Sequence, residues 1–447
     1  MTRGRENFKV RGSVAILETS TVLRSVGAAL CVLASGPALA AAPSGLARTS
    51  AHQPAPSTPP SGWPLLATAT QLLAPVYDSL GIPRYAVGSV QRGTAVAARK
   101  AKSTEPCHDN GEAGSWYEIP GGYVCSASGY AIGARAESLS PPQRLPDLSQ
   151  PVPFPFVKVT TPSSIRYDDP ATDKEAIAEY QTKAYFLAVD KELEVDGKKW
   201  IKTVYDEFVQ ADELKPVEPT RLVGEKLGAS NPLPIAFVYG DPAGVEVECE
   251  KSGRFSACGR ADKHSRFSVR GAEKSGRLQR PDGKWVSTEH LRVIRKIARP
   301  QGVPADARWV HVDLSQQAFI AYEGNTPVYT SLISSGISGF DTPNGLHRVY
   351  RKYVTKTMRG PDPDAGRYRV EEIPWVMYYD GNYALHGAYW HDNFGDVRSH
   401  GCTNIAPADA KWLYEWGTGD MPPGWHASYK VQDGTWVYLT GGADRSS

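Results

Sequence analysis

HGAYWHDNFGDVRSHGCTN, residues 386–404, is the stretch around which this 447-residue chain is organised. It gathers His386, His391, His400 and Cys402 within seventeen consecutive positions, 386 to 402. Its local order is strand, loop, tight turn, helix. Ala384-Leu385-His386 ends an apolar run, and Asp392 to Gly395 is loop-like. Ser399-His400-Gly401-Cys402 forms a turn that lifts a thiol, and a helix starts near Pro407. A thiol is a useful nucleophile only as thiolate, so it needs a neighbour that acts on a pKa of about 8.5, and imidazole is the commonest one. Glycine just before the cysteine lets the backbone approach a substrate and can leave amides free to face an oxyanion. These residue types in this order point to acyl transfer through a thioester.

The pattern His386-Gly387, then Ser399-His400-Gly401-Cys402-Thr403-Asn404, resembles the signature of the L,D-transpeptidase (YkuD-type) family of bacterial cell-wall enzymes. Thr342-Pro343-Asn344-Gly345 resembles that family's Thr-Pro-x-Gly turn, and Pro374-Trp375-Val376-Met377-Tyr378-Tyr379 extends the likeness. The resemblance covers residues 305–440, and several separated motifs occur in the right order. There are two departures. Thr403 stands where an aliphatic residue is usual. Ala406 stands where a serine or threonine helix cap is common, a loss of about 1 kcal/mol.

The resemblance implies roles. Cys402 is the nucleophile, and His386 is the general base that forms a thiolate–imidazolium pair with it. The Gly387 carbonyl orients the imidazole through its other nitrogen. The amides of Gly401 and Cys402 are the candidate oxyanion donors. His400 shapes the turn and contributes to the oxyanion or substrate environment. Met358, Trp375 and Tyr378 are expected along the substrate groove, with Tyr378 and Tyr379 on opposite faces by alternation. Arg398 is a candidate for a substrate carboxylate, and Ser399 and Asn404 complete the substrate-binding set. His391 and Asp392 are expected to pair within the loop. Three histidines and a cysteine also invite a zinc reading, but their spacings fit no standard motif and a metal would mask the nucleophile. No metal, ATP or other cofactor is called for.

The implied partner is a peptidoglycan stem peptide, with an amine of a second stem or of a wall-anchored protein as acceptor. The alternatives are the same site using water, as an L,D-carboxypeptidase or endopeptidase, and a non-catalytic cell-wall-binding protein. The 50 basic and 48 acidic residues nearly cancel, at +2. No clustered Lys/Arg stripe accompanies that balance, so no nucleic-acid partner follows.

Upstream, 447 residues suggest roughly two to four domains. Residues 1–40 have the form of an export signal: Arg24, an apolar run Val26 to Leu39, and Ala38-Leu39-Ala40 as a small-x-small site. The run is shorter than the roughly 20 residues of a membrane span, and Leu30 before Cys31 argues against a lipid anchor. The expected location is the periplasm or cell envelope. Residues 41–63 form a Pro-rich linker. Residues 64–140 read as a small β-barrel-like module, which resembles the Src-homology-type barrels found beside bacterial wall enzymes. Residues 153–215 and 216–299 read as two further β-rich modules. Trp116, Trp200 and Trp285 recur 84 and 85 residues apart, the sign of a tandem of like modules.

Apart from Cys31 and Cys402, four cysteines remain. They allow three connectivities, of which the sequence-near pairs Cys107–Cys125 and Cys249–Cys258 are the simplest; four reduced, buried thiols are the alternative.

Residues 305–440 alternate over longer strands, with turns at Glu323-Gly324-Asn325 and Asp380-Gly381-Asn382. One helix, Pro407 to Trp416, has proline at its first position and Asp409 in its first turn. The fold class is therefore mostly β: a sandwich or partly closed barrel with one main helix and the cysteine at a rim. All the proposed groups lie within 305–440, so that segment is expected to work alone, with the upstream modules placing it on the wall.

Overall fold

The computed structural model describes residues 58–80, 84–139, 144–161, 164–170, 176–180 (as backbone), 184–362 and 366–442. The expected export signal, Cys31 and most of the linker lie outside the described residues. The chain is mostly β, and Pro407–Trp416 is the one α-helix among the described residues. No helix of the described residues is long and apolar enough to cross a membrane.

Alternating apolar positions turn the C-terminal third into one continuous run of strands. Gly345–Arg348 pairs with Trp436–Thr440, which runs parallel to Arg308–Asp313. Ala318–Glu323 and Thr326–Ser334 follow as an antiparallel meander. Next come Thr403–Ile405, then Tyr383–Gly387, then the long hairpin of Gly366–Asp380 and Arg351–Asp362. One face is covered by the helix, whose Ala410, Leu413 and Tyr414 share a core with Met377, Leu385 and Ile405. A ten-residue helix is marginal in isolation, so this burial, about 1.5–3 kcal/mol per large apolar side chain, is what holds it. Its N-terminus starts with Pro407 and lacks a side-chain cap at Ala406, as expected. Asp409 does more than favour the first turn. It is fully buried and accepts hydrogen bonds from Gly224 N (2.8 Å), Tyr329 Oη (2.6 Å) and Ser331 Oγ (2.6 Å), tying the chain at Gly224 to the helix.

Both expected disulfides are formed, Cys107–Cys125 and Cys249–Cys258, and Cys402 is the free cysteine among the described residues. The second and third modules share a device. In each, a short 3-10 turn (Ala211–Glu213, Thr288–His290) leads into a strand that returns to an earlier one, Leu214–Pro216 to Phe156–Val159 and Leu291–Ile294 to Ile235–Val238. Trp116, Trp200 and Trp285 are all buried, each with an aromatic ring edge-on at 5.4–5.7 Å (Tyr77, Tyr167 and Phe255).

Residues 305–440 pack against strands that precede them. Gly88 and Ser89 of the first module pair with Ser428 and Ala427, which in turn pair with Lys352 and Tyr353. Tyr185 and Phe186 of the second module lie parallel to Arg369 and Val370. Phe154, Phe156 and Phe186 form one core with Val370, Ile373, Val376 and Tyr389, and Phe156 stacks on Tyr389 at 3.6 Å between ring centroids. Below that core, Ala188 N donates to Glu371 Oε2 (2.9 Å) and Tyr205 Oη to Glu372 Oε1 (2.6 Å). Cutting the chain at residue 305 bares this surface. Residues 305–440 expressed alone are therefore expected to bind a hydrophobic dye and unfold at a lower temperature than residues 58–442. An isolated segment that melts cooperatively at the same temperature and leaves the dye dark contradicts this.

Candidate active site

His386 and Cys402 come together through a parallel pairing of two short strands. Leu385, His386 and Gly387 lie opposite Thr403, Asn404 and Ile405. Side chains alternate along a strand, so Ala384, His386, Cys402 and Asn404 share one face while Leu385, Thr403 and Ile405 take the other. The core membership agrees. Leu385 and Ile405 pack beneath the helix, whereas Ala384 and Cys402 lie in the cluster that holds Met358, Tyr378 and Tyr389.

His386 is buried, and its Nδ1 lies 3.3 Å from its neighbour Gly387's carbonyl oxygen. That contact places the proton on Nδ1 and leaves Nε2 as a lone pair. Burial holds the imidazole down at about 4, partly offset by that carbonyl. Cys402 is half-buried, yet its sulfur sits in packed surroundings. Burial pushes the thiol up to about 11, against a backbone hydrogen bond from Ala384. Sγ donates to Asn382 O at 3.5 Å, a contact that only the protonated sulfur can make. Burial thus favours the neutral form of both groups, a thiol and a neutral imidazole, over a thiolate–imidazolium pair.

The Ser399–Cys402 turn is held from three sides. Ser399 Oγ bonds Cys402 O and accepts Gly401 N (3.1 Å). Thr342 Oγ1 donates to Gly401 O (2.8 Å) and accepts Gly336 N (2.9 Å). Arg398 N and Ser399 N both reach Ser335 O, whose residue is fixed by Gln317. Gly401 has φ +107°, and a Cβ there would meet Tyr383 at 2.7 Å, so this position needs glycine.

The remaining expected residues divide. Met358 and Tyr378 do lie in the cluster with Cys402, and Tyr378's hydroxyl is raised by burial and by the Cys402 charge. Tyr379 takes the opposite face, as alternation requires. Trp375 does not line the groove. It is fully buried beside Tyr414, and its Nε1 donates to Pro151 O (2.7 Å). It shares the face of Met377 and Tyr379, opposite Val376 and Tyr378, so the strand's own alternation puts it in the core. Gly401's amide, one of the candidate oxyanion donors, donates to Ser399 Oγ. Ser399 is buried and works within the turn. Arg398 is exposed, and its charge bears on His391. His400 is sandwiched by Phe340 (4.8 Å, edge-on) and Tyr368 (4.9 Å, stacked).

The expected His391–Asp392 pair is not formed. Asp392 instead bonds Thr220 and Lys263 and lies 3.6 Å from His264. His391 meets Asn404 (2.9 Å) and Asn393 N (3.2 Å). Sequence reasoning did not find Thr342 as the turn's latch, although Thr-Pro-Asn-Gly marked its place. It also missed Gln317, Phe340 and Tyr368, which carry no local signal.

Known proteins resemble the part that holds this site. The Bacillus subtilis (strain 168) protein YciB, whose name carries a provisional L,D-transpeptidase assignment, is 26% identical over 121 residues, 24% of this chain. The match spans 59% of that relative's length. The solution structure of the catalytic domain of the Enterococcus faecium L,D-transpeptidase is 25% identical, covers 30% of this chain and 98% of its own, and superposes with a TM-score of 0.25. The Mycobacterium smegmatis L,D-transpeptidase is 20% identical, covering 39% and 81%, also with a TM-score of 0.25. Residues 307–439, the body that carries His386 and Cys402, match the family model of the YkuD, or L,D-transpeptidase, catalytic domain.

Proposed function

We propose that this protein is an exported L,D-transpeptidase in which Cys402 forms an acyl-enzyme with a peptidoglycan stem peptide. The observation that carries the reading is the shared face of His386 and Cys402, with His386 Nδ1 engaged by Gly387 O and Nε2 left as a base.

The steps follow from the resting protonation. Nε2 takes the Sγ proton as sulfur attacks the carbonyl between the third stem residue and the terminal D-alanine. Transfer accompanies attack because neither ion is stable in the buried pair. Charge collects on the carbonyl oxygen, near the amide of Cys402. The imidazolium then gives its proton to the departing amine, and D-alanine leaves. A thioester remains. An amine of a second stem, or of a wall-anchored protein, attacks it, His386 accepts that amine's proton, and the thiol is restored by its return. The energy of the cleaved peptide bond is carried by the thioester, so no ATP enters. Two disulfides fit an oxidising compartment such as a periplasm.

The pH dependence tests the pair. With the thiol at about 11, alkylation of Cys402 by iodoacetamide is expected to rise steadily through neutral pH and keep rising above the usual thiol range. His386→Ala is expected to leave the shape of that profile unchanged while slowing acylation by a stem tetrapeptide about a hundredfold or more, the loss of general-base help. A neutral-pH plateau in alkylation that His386→Ala abolishes restores the thiolate–imidazolium pair and contradicts proton transfer from a resting thiol.

A further inference from the structure

A row of register partners runs across five strands, from the long hairpin beside Cys402 into the second module. Met358 lies opposite Val370, Val370 opposite Phe186, Phe186 opposite Lys158, and Lys158 opposite Lys215. Partners directly across a sheet carry their side chains on the same face. We infer that Lys158 and Lys215 form a subsite for a carboxylate of the donor stem peptide, extending the groove of Cys402 onto the second module. The inference rests on the proposed attack of Cys402 on such a peptide.

Packing identifies the face. Phe156 and Phe186 share a core with Val370 and Ala384, and Met358, Tyr378, Trp390 and Cys402 border that core. Val157, Val159 and Leu214, which alternate with Lys158 and Lys215, belong to a separate core on the other side of the second module's sheet. Both lysines therefore stand on the Cys402 side, and both are exposed. The Lys158 ammonium lies over the Phe186 ring, 5.4 Å from its centroid. Phe186 in turn is 6.4 Å from Trp390, whose indole stacks on the His386 imidazole at 5.8 Å. An aromatic row thus joins the lysine to the proposed base.

Charge and reach both match an acidic peptide. Neither lysine is paired with a carboxylate among the described residues. Like charges directly opposite one another on neighbouring strands repel, and a carboxylate between them relieves that repulsion. Neighbouring strands lie about 4.8 Å apart, so the ring that Lys158 leans over is about 10 Å of sheet from Met358. An extended peptide covers that distance in about three residues. A carboxylate borne by the residues before the attacked bond is therefore within reach of the pair, whereas the terminal carboxylate leaves with D-alanine.

The test uses the full chain and two probes. One is a stem tetrapeptide whose second residue is a glutamate with a free carboxylate; the other is the same peptide with that group as a carboxamide. Wild-type protein is expected to be acylated with a half-saturating concentration about fivefold or more lower for the free carboxylate, a preference that fades as salt screens exposed charges. Lys158→Gln combined with Lys215→Gln is expected to erase the preference, with the loss in the half-saturating concentration rather than in the maximal rate. Both side chains are exposed, so these changes disturb no core. Lys158→Arg combined with Lys215→Arg is expected to retain the preference. Equal half-saturation by the two peptides in wild type, or a preference that survives the two glutamines, overturns the proposal. Wild-type protein that neither peptide acylates defeats the transpeptidase reading instead. Calorimetric binding of both peptides to Cys402→Ala, with and without the two glutamines, then decides the subsite by the same preference.

Discussion

Three residue pairs in parallel register, Leu385–Thr403, His386–Asn404 and Gly387–Ile405, hold the site together. Parallel neighbours cannot be joined by a tight hairpin; the chain must leave the sheet and return by a crossover of a dozen or more residues. Here that crossover is residues 388–402, and it ends in the cysteine turn. It does not run free. Gly395 N bonds Ile333 O, Arg398 N and Ser399 N bond Ser335 O, and Ile337 N bonds Ser399 O. The pairing that brings His386 and Cys402, the proposed base and nucleophile, onto one face thus goes with both the strand order and the path of the loop between them.

Burial then sets the chemistry. A charged pair in these surroundings would lose its solvation without the dense hydrogen bonding that could replace it. Burial accordingly raises the Cys402 thiol and lowers the His386 imidazole, each toward its neutral form. The upstream modules help to create this environment. The second seals the face behind the site through Phe156 and Tyr389. The third grips the crossover itself, through Lys263 with Asp392 and through Arg292 Nε on Gly395 O at 2.7 Å. The modules are structural parts of the site's surroundings, whatever they also contact.

What could be read from the chain was local. The strands flanking Asp380-Gly381, the Pro407 helix, the sequence-near disulfides and the nearness of His386 to Cys402 all announce themselves within short windows. What could not be read depended on distant partners. Trp375 was expected along the groove with Tyr378, yet it lies three residues away on the opposite face, with Met377 and Tyr379 in the core. Proximity in sequence suggested that His391 would pair with Asp392. The fold gives His391 to Asn404, thirteen residues on, and Asp392 to Lys263 in another module. The Gly401 amide looked free because nothing in Ser-His-Gly-Cys says that the serine hydroxyl folds back onto it.

The central claim is acyl transfer through Cys402, and intact-mass spectrometry of the protein mixed with a stem tetrapeptide addresses it most directly. Such transfer predicts release of D-alanine together with a tripeptide-acyl adduct on Cys402, absent in Cys402→Ala and discharged on adding an amine acceptor. Release of D-alanine by Cys402→Ala, or an adduct that maps to any other residue, would contradict it.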